Sequence, residues 1–293
     1  MKKNLLILIL SGSIYSQKVL VIDSTTQKPI PFVTIQFNST DGTYSNENGF
    51  FEMTTNKTDT IAISHITYST LLLKASDVKD TIRMSPNAVI LKEVVIVNRN
   101  KITKYIDFPR SKSSFSSWPV NPKSEMISLI IPSSENAASQ IQKLNFSFVK
   151  KKEKNINLSN QTAIRVNIYG ATKNKTIENK IYGSEVLFIN PTKKDFIELD
   201  LEKDFIEFSE NGLYIGLEVL GDISNLGELI EDNTFIHVKL TDNIINDYRS
   251  ETFIKYVFDS KLNLIPINEI INKTSGKIIE RNLSFGITIL KPN

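Results

Sequence analysis

The chain has 293 residues, of which 40% are hydrophobic and 23% charged, with a formal net charge of +3. One large or two ordinary domains fit that length, and the apolar fraction is enough for buried cores. No cysteine is present, and His65 and His237 lie far apart, so disulfide scaffolds, thiolate metal sites, cysteine catalysis and histidine-rich metal centres are excluded.

The N-terminus reads as an address. Met1-Lys2-Lys3-Asn4 is a positive n-region, Leu5 to Leu10 is an uninterrupted apolar run, and small and polar residues follow to Gln17. This order is that of a secretory signal peptide over 1–16, with cleavage after Ser16 leaving Gln17 first. The apolar run is far shorter than the roughly 20 residues of a spanning helix. Losing Lys2 and Lys3 takes the 35 basic residues to 33, against 32 acidic, so basicity is no argument for nucleic acid. The expected location is exported: periplasmic, outer-membrane associated or extracellular.

Beyond it the chain reads as strands. Lys18–Asp23, Ile30–Phe37, Thr60–Ser64, Ser69–Lys74, Thr81–Met84 and Val94–Val97 are short runs rich in β-branched residues. Asn48-Gly49 is expected to turn a tight hairpin, and so is Asn211-Gly212. Over 99–123 the pattern lapses into Lys, Ser, Pro and Asn, which predicts a linker. From Met126 strands resume, with Leu144/Phe146/Phe148, Ile164/Val166/Ile168, Leu213–Leu220, Phe235–Leu240, Phe253–Phe258 and Leu283/Phe285/Ile287/Ile289. Helical signals are weak: a turn or two over Ser134–Gln142 and a short helix over Ile223–Ile230. The predicted fold is all-β, two successive sandwiches spanning 17–98 and 124–293.

The first of these carries a family resemblance. Val19-Leu20-Val21-Ile22-Asp23, Lys28-Pro29-Ile30-Pro31-Phe32-Val33, Gly42-Thr43-Tyr44, Asn48-Gly49-Phe50-Phe51, Asp59-Thr60-Ile61 to Tyr68, and Leu91-Lys92-Glu93-Val94-Val95-Ile96 follow in an order that resembles carboxypeptidase-D regulatory-like domains. The resemblance implies a transthyretin-like β-sandwich of the kind found in exported Gram-negative bacterial proteins, an accessory module without catalytic residues. Two positions depart from the family's pattern: Lys18 and Thr67 stand where glycine is usual. Arg165-Val166-Asn167-Ile168-Tyr169-Gly170 and Asn211-Gly212-Leu213-Tyr214-Ile215-Gly216-Leu217-Glu218 resemble jelly-roll-like C-terminal domains of uncharacterised function.

No catalytic motif, cofactor motif or metal constellation is found. The acidic run Asp195, Glu198, Asp200, Glu202, Asp204, Glu207 and Glu210 is interleaved with lysines and reads as a solvated strand face. Asp41, Asn46, Glu47 and Asn48 offer oxygen ligands but lack the EF-hand order. Asp23-Ser24-Thr25, Asp59-Thr60-Ile61 and Asp80-Thr81-Ile82 resemble bacterial O-glycosylation acceptors. The ligand candidates are Tyr169 and Tyr214, as parts of an aromatic sugar platform, and Glu218, an acid that needs a partner if it points inward. The functional expectation is a non-enzymatic cell-envelope protein binding a glycan, peptide or envelope protein. Its alternatives are an accessory component of outer-membrane nutrient uptake or adhesion, and a hydrolase with carboxylates in the second sandwich.

Overall fold

A computed structural model describes residues 17–54, 59–87, 102–106, 114–149, 161–190, 196–231, 236–242 and 246–291. Among the described residues strand makes up 58% and helix 5%, in several sheets and with no barrel, so the fold is all-β.

The N-terminal sandwich uses seven strands: β1 (Gln17–Asp23), β2 (Thr34–Gln36), β3 (Gly42–Tyr44), β4 (Phe50–Met53), β5 (Thr60–His65), β6 (Tyr68–Lys74) and β7 (Thr81–Met84). One sheet has the order β4-β1-β7, the other β3-β2-β5-β6. Period-two apolar positions from both sheets, among them Val19, Val21, Ile35, Phe51, Ile61, Ile63, Ile82 and Met84, close its core. The predicted strand over Ile30–Phe37 shrinks to three residues. Pro29 and Pro31 donate no N–H, and Phe32 sits in a turn at φ 54°, so the ladder begins only at Thr34. The Leu91–Ile96 closing strand, the Val94–Val97 run and Ser16 lie outside the described residues.

The second sandwich begins within the expected linker. β8 (Ile102–Ile106) and β9 (Ser117–Val120) fall inside 99–123 and pair with the last strands of the chain, so this stretch is a working part of the sheets rather than a tether. Its composition conceals this, because edge strands need few apolar residues. The remaining strands are β10 (Ser124–Pro132), β11 (Gln140–Ser147), β12 (Gln161–Ala171), β13 (Ile177–Gly183), β14 (Leu187–Ile189), β15 (Phe196–Asp200), β16 (Ile206–Glu207), β17 (Leu213–Ile223), β18 (Leu229–Ile230), β19 (Ile236–Thr241), β20 (Tyr248–Tyr256), β21 (Leu264–Pro266), β22 (Asn282–Leu283) and β23 (Phe285–Lys291). A large sheet runs β13-β12-β17-β10-β20-β21, with β14 and β18 attached to its central strands. Against it stand β15-β11-β23-β8 and β22-β19-β9, and the space between is filled by Met126, Ile130, Leu144, Phe146, Val166, Leu217, Phe285 and their neighbours.

Both Asn-Gly sites differ from the hairpin expectation in the same way. Gly49 and Gly212 do adopt positive φ, 78° and 91°. Yet β3 and β4 belong to different sheets, as do β16 and β17, so each site is a corner that carries the chain from one layer of a sandwich to the other. The dipeptide specifies the backbone turn and leaves open which strands it joins. Ile223–Ile230 is not helical: β17 runs to Ile223 and a turn returns the chain to β18. The α-helix of the described residues is α1 (Ile267–Ser275), which buries Ile267 and Ile271 one turn apart and stops at Gly276, φ 67°, whose N–H bonds the Asn272 carbonyl.

Candidate functional site

β12, β17, β10 and β20 lie side by side in the large sheet. Their inward positions are the apolar core already described. Their outward positions carry charge. The register sets Arg165 opposite Glu218, Glu218 opposite Glu125, and Glu125 opposite Lys255, which makes one row across four strands. One step along, Asn167 faces Gly216. All four ionised side chains are buried: Glu125 is 0% exposed, Glu218 2%, Lys255 5% and Arg165 7%. Burial of such groups is tolerated only with paired charges and filled hydrogen bonds.

The pairing is dense. Lys255 Nζ lies 2.7 Å from Glu125 Oε2. Tyr169 donates its hydroxyl to both oxygens of Glu125, at 3.2 and 3.0 Å, and accepts from Lys255 at 3.2 Å, with the same ammonium 4.8 Å from its ring centroid. Asn167 Nδ2 bridges the two acids, donating to Glu125 Oε1 at 3.0 Å and to Glu218 Oε2 at 2.8 Å. Gly216 leaves the room for this. A Cβ built there would stand 2.0 Å from Glu125 Oε1.

The row is also a joint between the sandwiches. Tyr44 of β3 donates to Glu218 Oε1 at 2.8 Å. Arg165 lies 3.6 Å from the same oxygen and donates through Nη2 to the Phe32 carbonyl at 2.8 Å. The positive φ of Phe32 is a strained conformation for a bulky residue, and it belongs to the turn that presents this carbonyl. Around these bonds Phe32, Tyr44, Ala163, Leu220, Ile223 and Phe258 form an apolar seam. Gly42 packs directly on the Phe258 ring, where a Cβ would approach to 2.2 Å. Thr43–Glu231, Asn46–Glu228 and Gln36–Phe258 hydrogen bonds of 3.0, 2.7 and 3.1 Å extend the contact.

Electrostatics follow from this packing. Burial opposes ionisation of Glu218, but Arg165, Lys180 and the hydrogen bonds from Asn167 and Tyr44 outweigh it, and its carboxyl is held below the usual range. Tyr44 and Tyr169 are pushed well above an ordinary phenol, first by burial and then by Glu218 and Glu125 respectively. His65, beside the joint, is lowered to about 4 by burial and by Arg165.

Of the three ligand candidates, the structure brings Tyr169 and Glu218 into this cluster. Tyr214 shares the outward face but stands apart from it, donating to the Lys175 carbonyl at 2.5 Å and packing against Phe253. Tyr169 and Tyr214 are 7% and 1% exposed, so neither ring offers a platform to a sugar. Glu218 points outward from its own sandwich and meets Tyr44 of the other one, beside Arg165 and Asn167 of its own. Gln17 opens β1. Glu125, Arg165, Asn167 and Lys255 were not singled out from the sequence. Their signal was available as alternation with apolar neighbours, but cross-strand register was not. The described members of the acidic run, Glu198, Asp200, Glu202, Asp204, Glu207 and Glu210, lie on β15, on β16 and in the turns that follow each. Glu198 pairs with Lys143 at the surface, 3.0 Å apart. Among the described residues no group of three His, Asp or Glu is placed to hold a metal, and no helix is long and apolar enough to cross a membrane.

A profile of the CarboxypepD_reg-like domain family matches residues 20–96. The N-terminal sandwich is a CarboxypepD_reg-like domain. The rest of the chain lies outside that match. A search of curated proteins returned no match. Among solved structures, the clostridial cysteine protease Cwp84 after propeptide cleavage aligns over 94% of this chain and 71% of its own at 8% identity and a TM-score of 0.36. Infectious bursal virus derived T=1 particles align over 95% and 62% at 10% identity and a TM-score of 0.27. Neither likeness is close enough to carry an argument about fold or function.

Proposed function

We propose that this chain is a non-enzymatic binding protein of the cell envelope, exported by the signal at 1–16 and released with Gln17 at its N-terminus. In this reading the CarboxypepD_reg-like domain and a jelly-roll-like second sandwich act as one rigid unit that presents its outer surfaces to a glycan, peptide or protein partner. The observation that supports it is the state of the shared carboxylates. Glu125 and Glu218 are sealed from solvent, and each is already held by cations and hydrogen-bond donors of the chain itself. A hydrolytic acid pair needs access to substrate and a proton to exchange. These two acids have neither, and a cluster of this kind fixes geometry. The same role suits an accessory component of nutrient uptake or adhesion, where a rigid two-domain body carries a ligand.

The test is to incubate the mature chain, beginning at Gln17, with a glycan array and a displayed peptide library. Retention of one ligand class without turnover is the expected result. Cleavage of any arrayed glycan or peptide, abolished by Glu218→Gln or Glu198→Gln, contradicts it and favours the hydrolase reading.

A further inference from the structure

The large sheet ends in a step. β20 has nine residues, but β21 pairs with only three of them, Phe253, Ile254 and Lys255. Past Pro266 the chain turns into α1 and leaves the sheet. Over Tyr248–Thr252, β20 pairs with β10 on one side, and no described strand pairs with it on the other. That stretch is five residues long, about the length of an ordinary strand.

A groove lies along this edge. Its volume is about 840 Å³, within the usual range of ligand sites of about 300–1,000 Å³. It is lined by Tyr248–Glu251 of β20, by Leu129 and Ile131 of β10, and by Asn268, Glu280 and Asn282. Ser133 Oγ, Ser250 Oγ and Asn282 Oδ1, all on residues lining the groove, have no hydrogen-bond partner among the described residues. These oxygens are buried, and it is the unpaired main chain of β20 that an added strand engages.

We propose that this edge docks an extended peptide of a partner protein, which joins the large sheet as a further strand beside β20. The inference rests on the binding-protein reading above and names its ligand. Two observations select a peptide over other ligands. The charges around the groove are of both signs, Lys175 and Arg249 against Glu251 and Glu280, so no polyanion is favoured. Tyr248 is buried at 3% exposure, which leaves no aromatic face for a sugar ring. Arg249 and Glu251 sit on the sheet's outer face, alternating with the inward Tyr248 and Thr252. Affinity then comes from backbone hydrogen bonds, and specificity from alternate side chains of the guest.

The experiment selects binders to the mature chain from a displayed library of random linear peptides long enough to span Tyr248–Thr252. The best binder is then resynthesised with N-methyl groups at alternate amides. In the expected result one of the two methylation patterns weakens binding up to about tenfold for each hydrogen bond removed, while the other pattern is tolerated. Amide exchange at Arg249–Thr252 slows in the complex, and Asn282→Trp, which adds bulk to the groove lining, abolishes binding. A selected peptide that is indifferent to N-methylation, or that protects other amides, overturns the edge proposal and leaves the binding-protein reading standing. A library without binders, alongside a retained glycan, does the same. No ligand of either class overturns both.

Discussion

Along β12 and β17 the two faces of the large sheet are both buried and chemically opposite. Ile164, Val166, Ile168, Leu213, Ile215, Leu217 and Val219 face the inside of the second sandwich, and all are at or below 2% exposure. On the other side of the same strands stand Arg165, Asn167, Tyr169, Gly216 and Glu218, of which Glu218 accepts from Tyr44 and Arg165 donates to the Phe32 carbonyl of the CarboxypepD_reg-like domain. The inner face is held by non-directional burial, which tolerates a change of shape at a graded cost. The outer face is held by bonds between particular atoms. Two of its bonds, Tyr44 to Glu218 and Arg165 to the Phe32 carbonyl, cross between the sandwiches and tie the row to their docking. The difference shows how a chain without cysteine can hold two sandwiches in register: apolar layers supply stability, and a polar row supplies specificity of docking.

Substitutions separate the two faces most sharply where they break the row. Arg165→Met leaves Glu218 buried without its cation and is expected to cost about 3–5 kcal/mol in urea unfolding. The Arg165→Met, Glu218→Leu double variant is expected to be more stable than Arg165→Met, because it removes both charges. On the inner face Leu217→Ala removes packing alone and is expected to cost about 2–5 kcal/mol, with no comparable rescue by a neighbouring change. Tyr44→Phe deletes one hydrogen bond to a buried carboxylate, and a loss of about 1.5–3 kcal/mol is expected. The smallest effect is a pH dependence. His65 is lowered from 6.5 to about 4, so the unfolded chain takes up its proton first as pH falls. Stability is therefore expected to decline between pH 6.5 and about 4, and a thermal-melt series on His65→Gln should show a shallower decline. The depressed carboxyl of Glu218 adds a loss of the same sign at lower pH, setting in below its ordinary value of 4.5.

Much of this was legible in the chain. Alternation placed β1, β5, β6, β7 and β23 within a residue or two, and the N-terminal landmarks placed the regulatory-like domain. Glu218 stands out in the sequence as an acid on an apolar strand that needs a partner, whereas Tyr169 suggests an aromatic platform that its burial rules out. What escaped was everything that depends on which strand lies beside which. Asn48-Gly49 and Asn211-Gly212 encode a positive φ and say nothing about whether the flanking strands share a sheet. β8 and β9 have edge-strand composition that passes for a linker. Glu125 and Lys255 sit among apolar neighbours like many surface residues, and only the β10–β17 and β10–β20 registers turn them into partners of Glu218 and one another. α1 carries too short an apolar repeat, Ile267 and Ile271, to stand out from the strands around it.

The central claim is that the buried polar row couples the two sandwiches, and a double-mutant cycle across the joint addresses it. Tyr44→Phe lies in the first sandwich and Glu218→Gln in the second, and their side chains meet at 2.8 Å. The account predicts that the two losses in unfolding free energy fail to add, with a coupling of about 0.5–3 kcal/mol. Strict additivity of the two changes would contradict it.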